Sequence, residues 1–148
     1  MTGWSIADAD ESDVCALARI IGDWVHETDW MPVLHTPEDD EVFVAALPGT
    51  HKVRVARRGA DRLGFLARRS GHVQALHVAA GSRGLGIGKA LLHEVIEVEP
   101  TVELWTFQAN LRALTFYRRE GFQEAERTDG SGTDEGLPDV RLIWRHKT

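Results

Sequence analysis

The stretch Ala80-Gly81-Ser82-Arg83-Gly84-Leu85-Gly86-Ile87-Gly88-Lys89 decides how the chain folds. Ahead of it, His72 to Ala79 reads as a strand. A helix begins inside it, with Ile87, Leu91, Leu92, Val95 and Ile96 on one apolar side. Such a junction is a place where backbone can meet an anion. Glycines remove the Cβ atoms that keep an anionic group away, and they adopt positive φ without strain. Amide N–H groups at a helix start, with the helix dipole behind them, bind phosphate. Arg83 or Lys89 can add a charged contact. Two nucleotide motifs fail here. A Walker A loop needs Gly where Arg83 stands and Ser or Thr where Ala90 stands. A dinucleotide-type GxGxxG starting at Gly84 needs Gly where Lys89 stands. The structural alternative is that these glycines make a tight turn and let the helix pack closely.

Working outward, residues 4–8 suit a short strand. Asp10 or Ser12 can cap a helix whose apolar positions are Val14, Leu17, Ala18, Ile21 and Val25. Thr28 to His35 is irregular, with Pro32 breaking any continuation. Thr36, Pro37 and Asp39 resemble a capped helix start; Val42, Phe43, Ala46 and Leu47 form its expected apolar face, and Pro48-Gly49 its end. Three short strands follow as an antiparallel meander, with turns at 58–61 and at Ser70-Gly71. Beyond the glycine helix, which Pro100 ends, Val102 to Phe107 reads as a strand and Asn110 to Glu120 as a helix stopped by Gly121. Phe122 to Arg127 and Val140 to Trp144 are the last strands. The strand–loop–helix–strand unit at 72–107 implies a parallel pair. The order β-α-α-β-β-β-α-β-α-β-β, without repeats or a dividing linker, is that of one α+β domain over residues 1–148.

The bulk properties agree with an ordinary globular protein. The 148 residues are 43% apolar and 27% charged. The net charge of −6, with basic residues scattered, argues against nucleic acid or an anionic membrane as partner. Cys15 is the only cysteine, which excludes an internal disulfide and a cysteine-based metal site. The acidic N-terminal stretch lacks the pattern of a signal peptide, and no apolar run is long enough to span a bilayer, so the expected location is cytoplasmic.

Arg83-Gly84-Leu85-Gly86-Ile87-Gly88 resembles the Gln/Arg-x-x-Gly-x-Gly/Ala motif of the GNAT superfamily, the acetyl-CoA-dependent N-acyltransferases. Asn110, Ala113, Phe116, Tyr117 and Gly121-Phe122 resemble its second segment, N-x-x-A-x-x-F-Y-x-x-x-G-F. The resemblance covers nearly the whole chain. It implies a mixed, mostly antiparallel twisted sheet with helices on both faces and a central parallel strand pair splayed at the cofactor site. Acetyl-CoA would be the acetyl donor, with no metal. Its pyrophosphate would sit on amides from Arg83 through Gly84, Leu85, Gly86, Ile87 and Gly88 to Lys89, and its pantetheine arm would pair with Leu76-His77-Val78. A backbone N–H near Val78 would polarise the thioester carbonyl, and Asn110, Phe116 and Tyr117 would complete the cofactor contacts.

Amide formation from a thioester needs a neutral amine, a polarised carbonyl and a stabilised leaving thiolate. Tyr117, the only tyrosine, falls where the family often places the acid for that thiolate; it also reads as a packing residue beside Phe116. Asn110 reads as a cofactor contact or a helix cap, and these readings are compatible. His77 is the candidate base, sharing its strand face with Val73, Ala75 and Ala79. Direct attack with proton loss through water needs no dedicated base. Trp30 and His35 lie where the family builds part of the acceptor pocket and suit an amine by cation–π contact and hydrogen bonding. Trp105 is a third candidate substrate contact, with core packing as its alternative. Glu135 and Asp139 belong to a polar loop that reads as a solvated turn or as the acceptor border. The remaining histidines have no metal-like spacing. The expected activity is acetyl transfer to a primary amine of a small molecule, with a protein amine as the alternative acceptor and a non-catalytic acyl-CoA-binding module as the other class. A homodimer is left open.

Overall fold

In the computed structural model, which describes residues 3–146, the chain runs β1 (Ser5–Asp8), α1 (Val14–Glu27), α2 (Pro37–Ala46), β2 (Lys52–Arg58), β3 (Asp61–Arg69), β4 (His72–Val78), α3 (Ile87–Val98), β5 (Thr101–Phe107), α4 (Leu111–Arg119), β6 (Gln123–Arg127) and β7 (Asp139–Arg145). Residues 1–2 and 147–148 of the expected domain lie outside the described residues. The element order is the expected one. Local chemistry sets the helix starts. Thr36 accepts from the Asp39 N–H while the Asp39 carboxylate accepts from the Thr36 N–H, a capping box with Pro37 in the first turn. Asp10 and Asp13 form the same reciprocal pair around a 3-10 turn at Glu11–Asp13 that leads into α1. Gly121, at φ +97°, follows α4 as its left-handed stop.

The strands form one sheet in the order β1-β2-β3-β4-β5-β7-β6. Every pairing is antiparallel except β4 with β5. That parallel contact is short: its one register pair is His72 with Glu103, whereas β5 pairs β7 over seven positions. The two central strands therefore part toward their C-terminal ends, which opens the sheet beside His77 and Phe107.

Helices cover both faces. On one, α1, α2 and the turn after α2 pack Leu17, Ala18, Ile20, Val44 and Leu47 against Val53, Val55, Phe65 and Ala67. On the other, Ile87, Leu91, Leu92 and Val95 of α3 are essentially inaccessible beneath Leu66, Val102, Val140 and Leu142. Each such side chain contributes about 1.5–3 kcal/mol by leaving water. Two sequence expectations need correction. Of the expected face Val42, Phe43, Ala46 and Leu47, only Leu47, in the turn just past α2, is buried; Val42, Phe43 and Ala46 face solvent, and α2 itself buries Val44. In β4 the register slips where Ala67 pairs Ala75 and Arg68 pairs Val73, a bulge that takes up Gln74. Val73 consequently packs on the α3 side and Ala75 on the α1 side, so Val73 and Ala75 lie on opposite faces.

Candidate active site

The glycine loop turns through two left-handed residues, Gly84 at φ +83° and Gly86 at φ +81°. Gly86 is the N-cap of α3 and offers no side chain to the helix start. The first helical bond runs from the Ala90 N–H to the Gly86 carbonyl, so the N–H groups of Ile87, Gly88 and Lys89 are left for an external acceptor. A Cβ at Gly84 or Gly86 would meet nothing within 4 Å, so the space over the turn is open. At Gly88 a Cβ would stand 3.6 Å from Val78 Cγ2 and 3.7 Å from Phe116 Cζ. That position draws together the end of β4, the start of α3 and the face of α4. Arg83, ahead of the turn, donates to the Glu27 carboxylate at the end of α1.

Aromatic rings fill the opening between β4 and β5. His77 stacks on Phe65, its cross-strand partner, with ring centroids 5.7 Å apart. Trp24, from the last turn of α1, meets His77 edge-on at 5.6 Å and Trp30 at 6.0 Å. Trp30 in turn lies edge-on to Phe107 at 5.9 Å. The series His77–Trp24–Trp30–Phe107 thus crosses from one splayed strand to the other.

A cavity lies on each side of this aromatic series. The outer one, about 440 Å³, is lined by Trp24, Glu27, Trp30, Arg83, Asn110 and Arg112 among others, next to the glycine loop. The inner one, about 180 Å³ and more enclosed, lies among α1, residues 31–35, the start of α2 and the 128–138 loop. Its apolar wall includes Ile21, Trp24, Met31 and Phe107; its polar groups include His35, Asp40, His77 and Glu135. Gly22 approaches Asp40 here: a Cβ on it would stand 3.5 Å from Asp40 Oδ2, an ordinary contact. Burial raises the Asp40 carboxyl above the usual range. Burial, and then the nearby Arg83 charge, pushes the His77 imidazolium down to about 4. His77 is therefore neutral at pH 7, able to accept a hydrogen bond and only weakly basic.

The other expected site residues are placed as follows. Tyr117 is buried on α4, with edge-on contacts to Phe116 and Phe122, and burial raises its phenol well above its ordinary value. Asn110 caps α4 by accepting from the Ala113 N–H, the helix-cap reading, and also lines the outer cavity. Leu76 and Val78 are half-buried against the α3-side core. Trp105 is 39% exposed and lines neither cavity. Gln108 donates to the carbonyls of Thr128 and Asp139, closing the base of the 128–138 loop that carries Glu135. The Asp139 carboxylate accepts from Thr128 in the same closure. Trp24, Glu27, Asp40 and Phe107 escaped sequence reasoning. Trp24 follows Ile21 by three residues and passes for core, and Asp40 is hidden among the acids of a capped helix start.

A family model described as an acetyltransferase (GNAT) domain matches residues 38–124. The peptidyl-lysine N-acetyltransferase YjaB of Salmonella typhimurium is 28% identical over 84 residues, which is 57% of this chain and 58% of that protein. The alignments thus span little more than half the length of the curated relatives. The solution structure of apo YjaB from Escherichia coli superposes with a TM-score of 0.77 at 21% identity, covering 95% of this chain and 97% of that one. YncA from Salmonella typhimurium, solved with its cofactor acetyl-CoA, has a TM-score of 0.75 at 17% identity, covering 98% and 96%.

Proposed function

The chain belongs to the GNAT acetyltransferase family, and we propose that it transfers the acetyl group of acetyl-CoA directly to a primary amine of a small molecule. The observation that carries the choice of acceptor is the inner cavity. At about 180 Å³ it is comparable with a site of roughly 150 Å³ that holds one benzene-sized molecule. Asp40 and Glu135 suit an arriving ammonium, and the apolar wall favours its neutral form once inside.

On the donor side, the N–H groups of Ile87, Gly88 and Lys89 hold the pyrophosphate, with Arg83 as charged partner, and β4 from Leu76 to Val78 receives the pantetheine arm. The donor supplies an activated carbonyl. The N–H near Val78 polarises it, neutral His77 accepts a hydrogen bond from the amine, and the Tyr117 hydroxyl donates one to the departing sulfur. A tyrosine phenol is already a weaker acid than a thiol near pKa 8.5, and burial weakens Tyr117 further, so its role is that of a hydrogen-bond donor rather than full proton donor. Among the described residues no cluster of three His, Cys, Asp or Glu is gathered for a metal, and no helix is long and apolar enough to cross a membrane. One domain acting in the cytoplasm, without a metal, completes the reading.

A peptidyl-lysine acceptor is the second reading, favoured by the name of the YjaB relatives. A thiol-release assay with acetyl-CoA, run across small amines and lysine peptides, separates the two. Release with small amines supports the first reading; faster release with peptides replaces it with the second. Acetyl-CoA that neither binds nor turns over would end both.

A further inference from the structure

We propose that Trp24 is the partition between donor and acceptor chambers and restricts the transferred group to acetyl, an inference that rests on the acetyl-CoA reading above. Among the described residues, Trp24 alone lines both the outer and the inner cavity. Its indole is held from two sides, by His77 of β4 and by Trp30 of the segment after α1. It is carried on a helix whose Leu17, Ala18 and Ile20 are buried in the core, so its position is set by a packed element rather than by a mobile loop. The Trp24 carbonyl also accepts from the Thr28 hydroxyl at 2.5 Å, which tightens the turn that presents the ring.

The geometry converts this placement into a length limit. A donor lying along β4 brings its thioester to the ring series, with the amine waiting on the far side. The amine nitrogen forms a bond to the carbonyl carbon, the carbon–sulfur bond breaks, and its electron pair stays on sulfur. The proton lost by the amine ends on that sulfur as the thiol. Every carbon beyond the acetyl methyl must either press on the Trp24 indole or enter the inner cavity, where about 180 Å³ has to hold the acceptor as well. A longer acyl chain and the acceptor therefore compete for the same closely packed space. A pocket discriminates one methylene by roughly 10–200-fold, so two added methylenes suffice for strong selection.

The test compares kcat/KM for acetyl-, propionyl-, butyryl- and hexanoyl-CoA in the wild type, Trp24→Ala and Trp24→Phe, with one amine acceptor throughout. Affinity for unacylated CoA is measured in parallel by calorimetry, and folding by thermal melting. The wild type is expected to prefer acetyl- over butyryl-CoA by about 100-fold or more. In Trp24→Ala that ratio falls to within about tenfold of unity, or inverts, while CoA affinity changes little; Trp24→Phe lies between. A wild type that uses butyryl-CoA as readily as acetyl-CoA overturns the proposal. So does an unchanged acyl ratio in a folded variant that still binds CoA. If Trp24→Ala does not fold, the ratio in Trp24→Phe decides. Loss of CoA binding in the wild type strikes the acetyl-CoA reading instead.

Discussion

Arg83 donates to the Glu27 carboxylate across the rim of the outer cavity, tying the glycine loop to the last residue of α1. The side chains are 31% and 37% exposed, so the pair contributes about 1 kcal/mol or less to stability. A pyrophosphate at the loop offers Arg83 a stronger anionic partner and must compete with Glu27 for it. Glu27→Gln is expected to tighten CoA binding about threefold by releasing the guanidinium, and Arg83→Ala to weaken it about tenfold, the loss of one charge-assisted hydrogen bond. Titration calorimetry reads both. Unaltered affinity in Arg83→Ala would remove that side chain from the donor site.

The turn at Gly86 is a separate matter of backbone. Its φ of +81° lies in the left-handed region that favours glycine. Gly86→Ala therefore introduces about 1–2 kcal/mol of strain although nothing would touch the new methyl. Melting temperature is expected to fall by several degrees, with weaker CoA binding. Gly81→Ala, with no positive φ and open space around it, is the control. Equal behaviour of the two variants would show that the left-handed turn does not matter.

Far from the cleft, Asp13 is 1% exposed and receives Arg57 and Arg62. Burial alone would raise its carboxyl, but the hydrogen bonds from the two arginines more than offset this and hold it below the usual range. A depressed folded-state pKa means stability present above about pH 4 and lost as pH falls through the folded value. Asp13→Asn leaves two partly buried guanidinium groups short of a charge and is expected to destabilise by about 3 kcal/mol. Denaturant unfolding at pH 7 measures it; a loss under 1 kcal/mol would make the cluster a surface ornament.

The helix starts and the glycine turn were legible because each depends on a few neighbouring residues, as in the Thr36–Asp39 box. The buried face of α2 was not. Val42, Phe43, Val44 and Ala46 of α2 and Leu47 just past it are all apolar, and only packing against β2 and β3 selects Val44 and Leu47. The β4 bulge at Gln74 likewise leaves no mark on an alternating pattern, yet it separates Val73 from the face of Ala75. Glu27 and Trp24 were hidden for a different reason. Their partners Arg83 and His77 lie more than fifty residues away, and only the tertiary fold brings them to the cleft.

Tyr117 tests the chemistry on the sulfur side. Its hydroxyl is the sole polar atom of a ring otherwise packed against Phe116 and Phe122, so Tyr117→Phe should keep the fold and the CoA affinity. Turnover is expected to drop about tenfold or more, at the low end for a positioned proton donor because only a hydrogen bond is lost. Full activity in the variant would confine Tyr117 to packing.

His77 closes the case because its neutrality has two measurable consequences of opposite kind. With its imidazolium pushed down to about 4 by burial and by Arg83, the folded protein binds a proton there less readily than the unfolded chain, whose histidine titrates near 6.5. The unfolded state therefore gains protons as pH falls from about 6.5 to 4, and stability declines over that window. His77→Gln removes the titration, so its melting temperature should depend less on pH between 6.5 and 4 than that of the wild type. In activity the same neutrality predicts no ionisation of His77 above pH 5, and a limb of the pH–rate profile near neutrality comes from a group other than His77, in the first place the amine substrate. It should survive in His77→Gln and move with the pKa of the amine used. A limb near pH 6.5 that vanishes in His77→Gln would show instead that the imidazole titrates normally in the working enzyme, as a general base.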